Sequence, residues 1–226
     1  MMLQGRDTVL LDMNATFMFG HDRFGENENY GAYFKEIGGT LPEDDVQRII
    51  QKVFSYLEPR FPDPKYRECF PSLDAALDVV LQGHRVSTSD RQRLIATFSH
   101  HECGIIPPEY WEALRELAST YQLGLVADIW APRQRWIEEF ERAGVLKHFR
   151  AMSFSSDHGI VKPSPKPFLQ VLRDLGATPA KTMMIGDSVR RDLGGATAAG
   201  LPCILVGGCK DSGAMAAVNT LLDVLG

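Results

Sequence analysis

Val9-Leu10-Leu11-Asp12-Met13-Asn14-Ala15-Thr16 is the stretch that decides the fold. Three consecutive apolar residues read as a strand covered on both faces, the kind found inside a parallel sheet. Asp12 follows at the carboxyl tip of that strand, where open α/β sheets bind their ligands. Two later segments are built to meet it. Met183-Met184-Ile185-Gly186-Asp187-Ser188 is another apolar run ending in an acid, with Asp192 a helical turn beyond, and Gly159-Ile160-Val161-Lys162-Pro163 delivers a lysine. A carboxylate, a lysine and a pair of acids at strand ends can hold a divalent cation and a phosphoryl group.

Outward from these segments, strand and helix signals alternate. The spacing of Trp111, Leu114, Leu117 and Tyr121 predicts a helix over 109–121, and Leu123 to Ala127 a buried strand. Trp136, Ile137 and Phe140 mark the next helix, ended near Gly144, and Phe149 to Phe154 a strand. Phe168, Leu169, Leu172 and Leu175 mark a helix closed by Gly176. Thr182 to Ile185 reads as a strand, 189–199 as a helix closed by Gly200, and Cys203 to Val206 as a strand. Repeated β-then-α units predict an α/β fold: a Rossmann-like parallel sheet with helices on both faces. Residues from about 26 to 104 show only helical spacing, as in Val46, Ile49, Ile50, Val53, Phe54 and Leu57. The expected organisation is an α/β core of 1–18 and 108–226, with an inserted all-helical cap domain of 19–107.

Composition narrows the function classes. The chain has 226 residues, 44% of them hydrophobic and 23% charged, which is ordinary for a globular protein. With a formal net charge of -5 and no Lys/Arg run, nucleic acid is not an expected partner. No apolar run approaches the ~18 residues of a membrane helix, and the short, interrupted N-terminal run predicts no secretory leader. None of Cys69, Cys103, Cys203 and Cys209 forms a CxxC pair, so reduced thiols and a cytoplasmic location are expected. His100-His101-Glu102-Cys103 could suggest a metal cluster, but adjacent helical residues do not share a face, and a polar helix end is the expectation.

Taken together, Asp12 with Thr16 four residues on, Lys162, and the Gly186-Asp187-Ser188-x-x-x-Asp192 spacing resemble the haloacid dehalogenase superfamily of aspartyl phosphatases and their relatives. The resemblance covers essentially the whole chain, the helical insertion matching the cap that many members place after the first strand. It implies that Asp12 attacks phosphorus and that Mg²⁺ is held by Asp12, Asp187, Asp192 and the backbone carbonyl of Asn14. It implies that Lys162 neutralises the phosphate and Asp12 together, and that Thr16 hydrogen-bonds the phosphoryl oxygens or the nucleophile. Residues 17–25 would form a tight turn and a β-hairpin flap, with His21 and Arg23 in reach of substrate. The implied substrate is a small phosphorylated metabolite, enclosed by the cap.

Four positions depart from the family pattern. Asn14 stands where an acid protonates the leaving oxygen and later activates water, and an amide has no titratable proton for either task. Ala15 stands where glycine is usual. Ala127 and Asp128 stand where Ser or Thr, often followed by Asn, would be, so a phosphate hydrogen bond is lost at 127. Three readings stay open: a Mg²⁺-dependent phosphatase with a rearranged acid/base; a haloacid dehalogenase or phosphonate hydrolase; and a catalytically silent member that binds a phosphorylated ligand or a protein. Halide leaves without a proton, but the intact Asp187/Asp192 pair favours metal and phosphorus. For a phosphonate hydrolase Lys35 and Lys52 are the available amines, neither in a recognisable motif. Position 14 has exchanged acid for amide while position 128 has exchanged amide for acid. Asp128 is therefore a candidate for the displaced acid/base, beside the reading that it caps the helix near Pro132 or pairs with Arg133 or Arg135.

Overall fold

The computed structural model describes residues 2–225. Six strands lie in the order β3-β2-β1-β4-β5-β6. They are β1 (Thr8–Leu11), β2 (Gln122–Ala127), β3 (Phe149–Phe154), β4 (Thr182–Gly186), β5 (Cys203–Leu205) and β6 (Ala216–Ala217). Every pairing is parallel. β1 is the hinge of the order, with Leu11 facing Leu125 on one side and Ile185 on the other. The strand order reverses there, which puts the tips of β1, β2 and β4 around one crevice.

Side chains alternate across the sheet. Val9 and Leu11 enter one core with Phe17, Phe140 and Phe149, whereas Leu10 enters the other with Phe168, Val171 and Met184. Between strands run α5 (Pro108–Thr120), α6 (Gln134–Arg142), the short α7 (Ser155–His158), α8 (Lys166–Leu175) and α9 (Gly194–Ala198). Gly124 lets α8 approach, since a Cβ there would lie 2.5 Å from Val171 Cγ1. The expected helix over 189–199 begins instead as a π-helical turn, Val189–Leu193, and becomes α-helical only in α9. The two-residue edge strand β6 gave no signal in the sequence because Ala216-Ala217 has neither length nor alternation.

The insertion is helical as expected: α1 (Tyr30–Glu36), α2 (Glu43–Leu57), α3 (Leu73–Val80) and α4 (Thr88–Glu102). Asn29, Ser72 and Ser87 accept from the first-turn amides of α1, α3 and α4, satisfying donors that the helices leave free. Val46, Ile50, Val53 and Leu57 form the buried stripe of α2. This stripe is continuous with the core on the Val9/Leu11 side of the sheet. The chain enters and leaves the insertion side by side, Phe19 and Ile105 exchanging backbone hydrogen bonds of 2.9 Å. The expected hairpin within 17–25 does not form. Residues 19 and 23 pair with the returning segment, Arg23 N–H donating to His101 O at 2.9 Å, and this satisfies the backbone that a hairpin would have paired with itself. Among the described residues no helix is long and apolar enough to cross a membrane.

Candidate active site

The β1 tip turns sharply. The amides of Thr16, Phe17 and Met18 all point to Met13 O, at 3.2, 3.1 and 3.0 Å. Ala15 adopts φ 57° to make that turn, a left-handed conformation that strains any residue with a Cβ. The turn brings Thr16 Oγ1 within 3.3 Å of Asp12 Oδ2.

Lys162 is the centre of the site. Its ammonium, 2% exposed, lies 2.5 Å from Asp12 Oδ1, 2.7 Å from Asp192 Oδ1 and 3.1 Å from Val126 O. All three of its donors are thus spent, and each acceptor comes from a different strand or its following turn. Burial opposes the ammonium charge, but Asp12, Asp192 and Asp128 outweigh it and raise the pKa above the ordinary lysine value. The loop carrying Lys162 is held by the insertion: Val161 N–H donates to Arg67 O at 2.9 Å, and Ser164 Oγ to Glu68 Oε1 at 2.6 Å.

Asp187 completes an acid cluster. Asp12, Asp187 and Asp192 each present a carboxylate oxygen within 4.8 Å of the other two. Asp192 Oδ2 accepts from Ser188 N–H at 2.9 Å, and Gly186 makes room for it, because a Cβ at 186 would meet Asp192 Cγ at 2.4 Å. Burial and the neighbouring Asp192 push the Asp187 carboxyl above its usual range, as burial and Asp192 do for Asp12. Crowded, partly buried carboxylates at this spacing are a donor set for a hard divalent cation. Asn14 Oδ1 is a further buried oxygen, without a hydrogen-bond donor among the described residues.

Asp128 lies beside this group. Both its oxygens accept from Lys162 N–H at 3.2 Å. Arg133 pairs with Asp157 and Arg135 with Glu138, so neither arginine takes Asp128 as its partner. Burial pushes the Asp128 carboxyl up to about 6, against the pull of Lys162 and Arg191. Ala127, 2% exposed, brings no hydroxyl to the tip of β2.

Arg23 is not brought into this set. Its guanidinium donates to Gly20 O at 2.7 Å, to Cys103 O at 3.0 Å and to His100 O, closing the carboxyl end of α4. The tetrad His100 to Cys103 is the polar end of α4, as the sequence suggested, and His101, Glu102 and Cys103 are buried there. Glu102, 3% exposed, accepts from Trp130 N–H at 2.5 Å and Ala131 N–H at 2.9 Å, tying α4 to the loop that begins at Asp128. Burial and the nearby Asp22 push Glu102 up to about 8. A single acid in a helical run carries no sequence signal for such a tie. Arg191, a charged residue beside Asp192 in a helical stretch, reads from the sequence as surface, and in the structure it is half-buried.

A family model described as "Haloacid dehalogenase-like hydrolase" matches residues 42–206. The chain belongs to this family. The match takes in Lys162, Asp187 and Asp192, while Asp12 lies ahead of it. Among solved structures, this haloacid dehalogenase-like hydrolase is similar to a 2-haloacid dehalogenase from Pseudomonas syringae (TM-score 0.66, 21% identity, 97% of this chain and 96% of that one). It is also similar to a HAD phosphatase from Thermococcus onnurineus (TM-score 0.63, 19% identity, 96% and 95%). At those identities the likeness speaks to fold alone. By sequence it is 33% identical over 93 residues to a glyceraldehyde 3-phosphate phosphatase from Methanopyrus kandleri, covering 41% of this chain and 38% of the relative. It is 35% identical over 69 residues to a phosphoserine phosphatase from Thermus thermophilus, covering 30% and 28%. The chain therefore spans well under two thirds of the length of these curated relatives.

Proposed function

We propose that this hydrolase cleaves a small phosphorylated metabolite with Asp12 as nucleophile and Mg²⁺ as cofactor. The observation that carries the reading is the buried ammonium of Lys162 joining Asp12 and Asp192 at 2.5 and 2.7 Å, beside a third acid, Asp187. Halide departure asks for no such cluster; a dianionic phosphoryl group meeting an anionic nucleophile does. The donor set fits Mg²⁺: Asp12, Asp187 and Asp192 each present a carboxylate oxygen within 4.8 Å of the other two, hard ligands at close range. When bound, the ion would supply positive charge for the transferring phosphoryl group.

The chain's own residues then divide the work. Lys162 holds Asp12 in position and offsets its charge, and Thr16 steadies the second oxygen. An Asp12 oxygen forms a bond to phosphorus as the ester P–O bond breaks, giving an aspartyl phosphate. Asn14 cannot protonate the leaving oxygen. Asp128, with a carboxyl near 6, is suited to give that proton and afterwards to take one from the water that attacks phosphorus, releasing phosphate and Asp12. Asp12 is only 5% exposed, so bulk water has little access to the nucleophile.

The test is a panel of phosphate esters and 2-haloacids, assayed with Mg²⁺ for phosphate and halide release. Phosphate release that falls to background in Asp12→Asn, and by about 10²–10⁴-fold in Asp128→Asn, is the expected result. Halide release in place of phosphate would move the chain to the dehalogenase reading. Turnover of neither, with retained phosphate binding, would make it a silent ligand-binding member.

A further inference from the structure

Arg191 sits on the π-helical turn between Asp187 and Asp192. Its backbone is fixed there, the amide donating to Ser188 Oγ at 3.2 Å. Its guanidinium is half-buried at the seam between sheet and insertion, 5.1 Å from the centre of the Phe61 ring. The next residue back, Arg190, donates to Pro62 O at 2.9 Å and keeps the Phe61 segment against the turn. Among the described residues no acceptor takes a hydrogen bond from the Arg191 guanidinium and no carboxylate lies within ion-pair distance of it, although Asp128, Asp12, Asp192 and Asp187 all act on its charge. Burial disfavours that charge, and the four carboxylates outweigh the penalty and raise its pKa. A half-buried guanidinium whose five donors find no protein acceptor, set at a ring of acids, is free to take an oxyanion.

The rest of the site shows what would complete it. The Lys162 donors are already spent on Asp12, Asp192 and Val126 O, so the ammonium has none to offer an incoming oxyanion in this arrangement. Ala127 offers no hydroxyl. A phosphoryl group delivered to Asp12 therefore lacks a cationic hydrogen-bond donor from the tip of β2 and from the lysine. Arg191 is the cation with donors to spare, and its planar fork matches two oxygens of a tetrahedral oxyanion.

We propose that Arg191 is the oxyanion ligand of this site, its guanidinium donating to the phosphoryl oxygens of the substrate in place of the hydroxyl absent at Ala127. This assignment rests on the phosphoryl reading above. It makes Arg191 a binding residue that touches substrate, with Phe61 holding the plane of the fork from the insertion side. Arginine gives direct, bidentate recognition, so charge alone does not replace it.

The experiment uses tungstate, an unreactive mimic of phosphate, titrated calorimetrically in the presence of Mg²⁺ into the unsubstituted protein, Arg191→Gln and Arg191→Lys. A tungstate-soaked crystal of the unsubstituted protein locates the ion. The expected result is a loss of about 10–100-fold in affinity for Arg191→Gln, only partly recovered by Arg191→Lys, and tungstate oxygens within hydrogen-bond distance of the Arg191 guanidinium. Arg191→Lys binding as tightly as the unsubstituted protein would reduce Arg191 to a neutralising charge and overturn the proposal. So would tungstate seated at Asp12 and Lys162 with Arg191 out of reach. Either of those leaves the phosphoryl reading intact. Absence of tungstate binding in the unsubstituted protein overturns the phosphoryl reading and this assignment together. Circular dichroism of each variant separates lost affinity from lost folding, and a misfolded Arg191→Gln leaves the decision to Arg191→Lys and the crystal.

Discussion

Ala15 shows how much one residue can carry. Its φ of 57° is imposed by the turn that gathers three amides onto Met13 O and aims Thr16 at Asp12. A Cβ in the left-handed region costs roughly 1–2 kcal/mol, and the turn persists because the sheet and Phe17, fully buried between Phe140 and Phe149, hold both ends. Ala15→Gly should relieve that strain, less what glycine loses in chain entropy. The expected gain is on the order of 0.5–1 kcal/mol, read as a rise of a few degrees in Tm. A lower Tm in the variant would show that the methyl group has packing value exceeding its strain. In the sequence this position reads as a small departure from the family pattern, because side-chain size says nothing about backbone conformation.

Among the elements, the turn after β4 is the most constrained. Gly186 ends the strand, and any side chain there collides with Asp192, whose carboxylate is locked by Ser188 N–H and Lys162. Gly186→Ala should therefore cost about 1–3 kcal/mol and displace Asp192 from Lys162. Urea unfolding would report the first effect and a crystal structure the second; an unmoved Asp192 would show that the strand tip gives way instead. The elements differed in legibility. β1, β2 and β4 were legible because strands covered on both faces are written as unbroken apolar runs, and α2 because its stripe repeats at helical spacing. The co-location of Asp12, Lys162 and Asp187 followed from their strand-end positions. The π-helical turn was not legible, since inserting one residue into a helical turn leaves the apolar spacing nearly unchanged. Nor was the role of 19–23, whose backbone partners lie some 80 residues away, as in Arg23 N–H to His101 O and its side chain to Cys103 O. Arg23 read as a reach toward substrate and proved to be spent on carbonyls, because nothing local announces a free helix end elsewhere in the chain.

For the molecule as a whole, the proposed ion and the buried titratable groups tie folding to solution conditions. Mg²⁺ binding only the folded cluster should raise Tm by mass action, by about 2.7 kcal/mol of stability at a hundredfold excess over Kd. Asp187→Ala should remove that shift; an unchanged Mg²⁺ response would place the ion elsewhere. Two buried groups oppose each other in pH. Glu102 has its carboxyl raised from 4.5 to about 8, so the folded state keeps a proton that the unfolded chain releases. Its stabilising effect is complete below 4.5 and is lost as pH rises through 8, at up to about 1.4 kcal/mol per pH unit. His101, lowered from 6.5 to about 4 by burial and by Arg23, works the other way and loses stability as pH falls through that window. Glu102→Gln should flatten the fall in Tm between pH 5 and 8, and parallel Tm curves for the two proteins would show that Glu102 does not titrate in that range.

β1 also sets a schedule. Thr8 pairs with Gln122 on one side and Thr182 on the other, so the ribosome makes the central strand long before either neighbour. At roughly 5–20 residues per second, β1 waits on the order of ten to thirty seconds for β4. During that interval the four residues Thr8–Leu11, three of them apolar and all buried in the finished sheet, have one edge with no lawful partner. A nascent chain arrested before residue 182 should be held by chaperones or aggregate through that edge, and the centre of the sheet can close only once translation has passed β4.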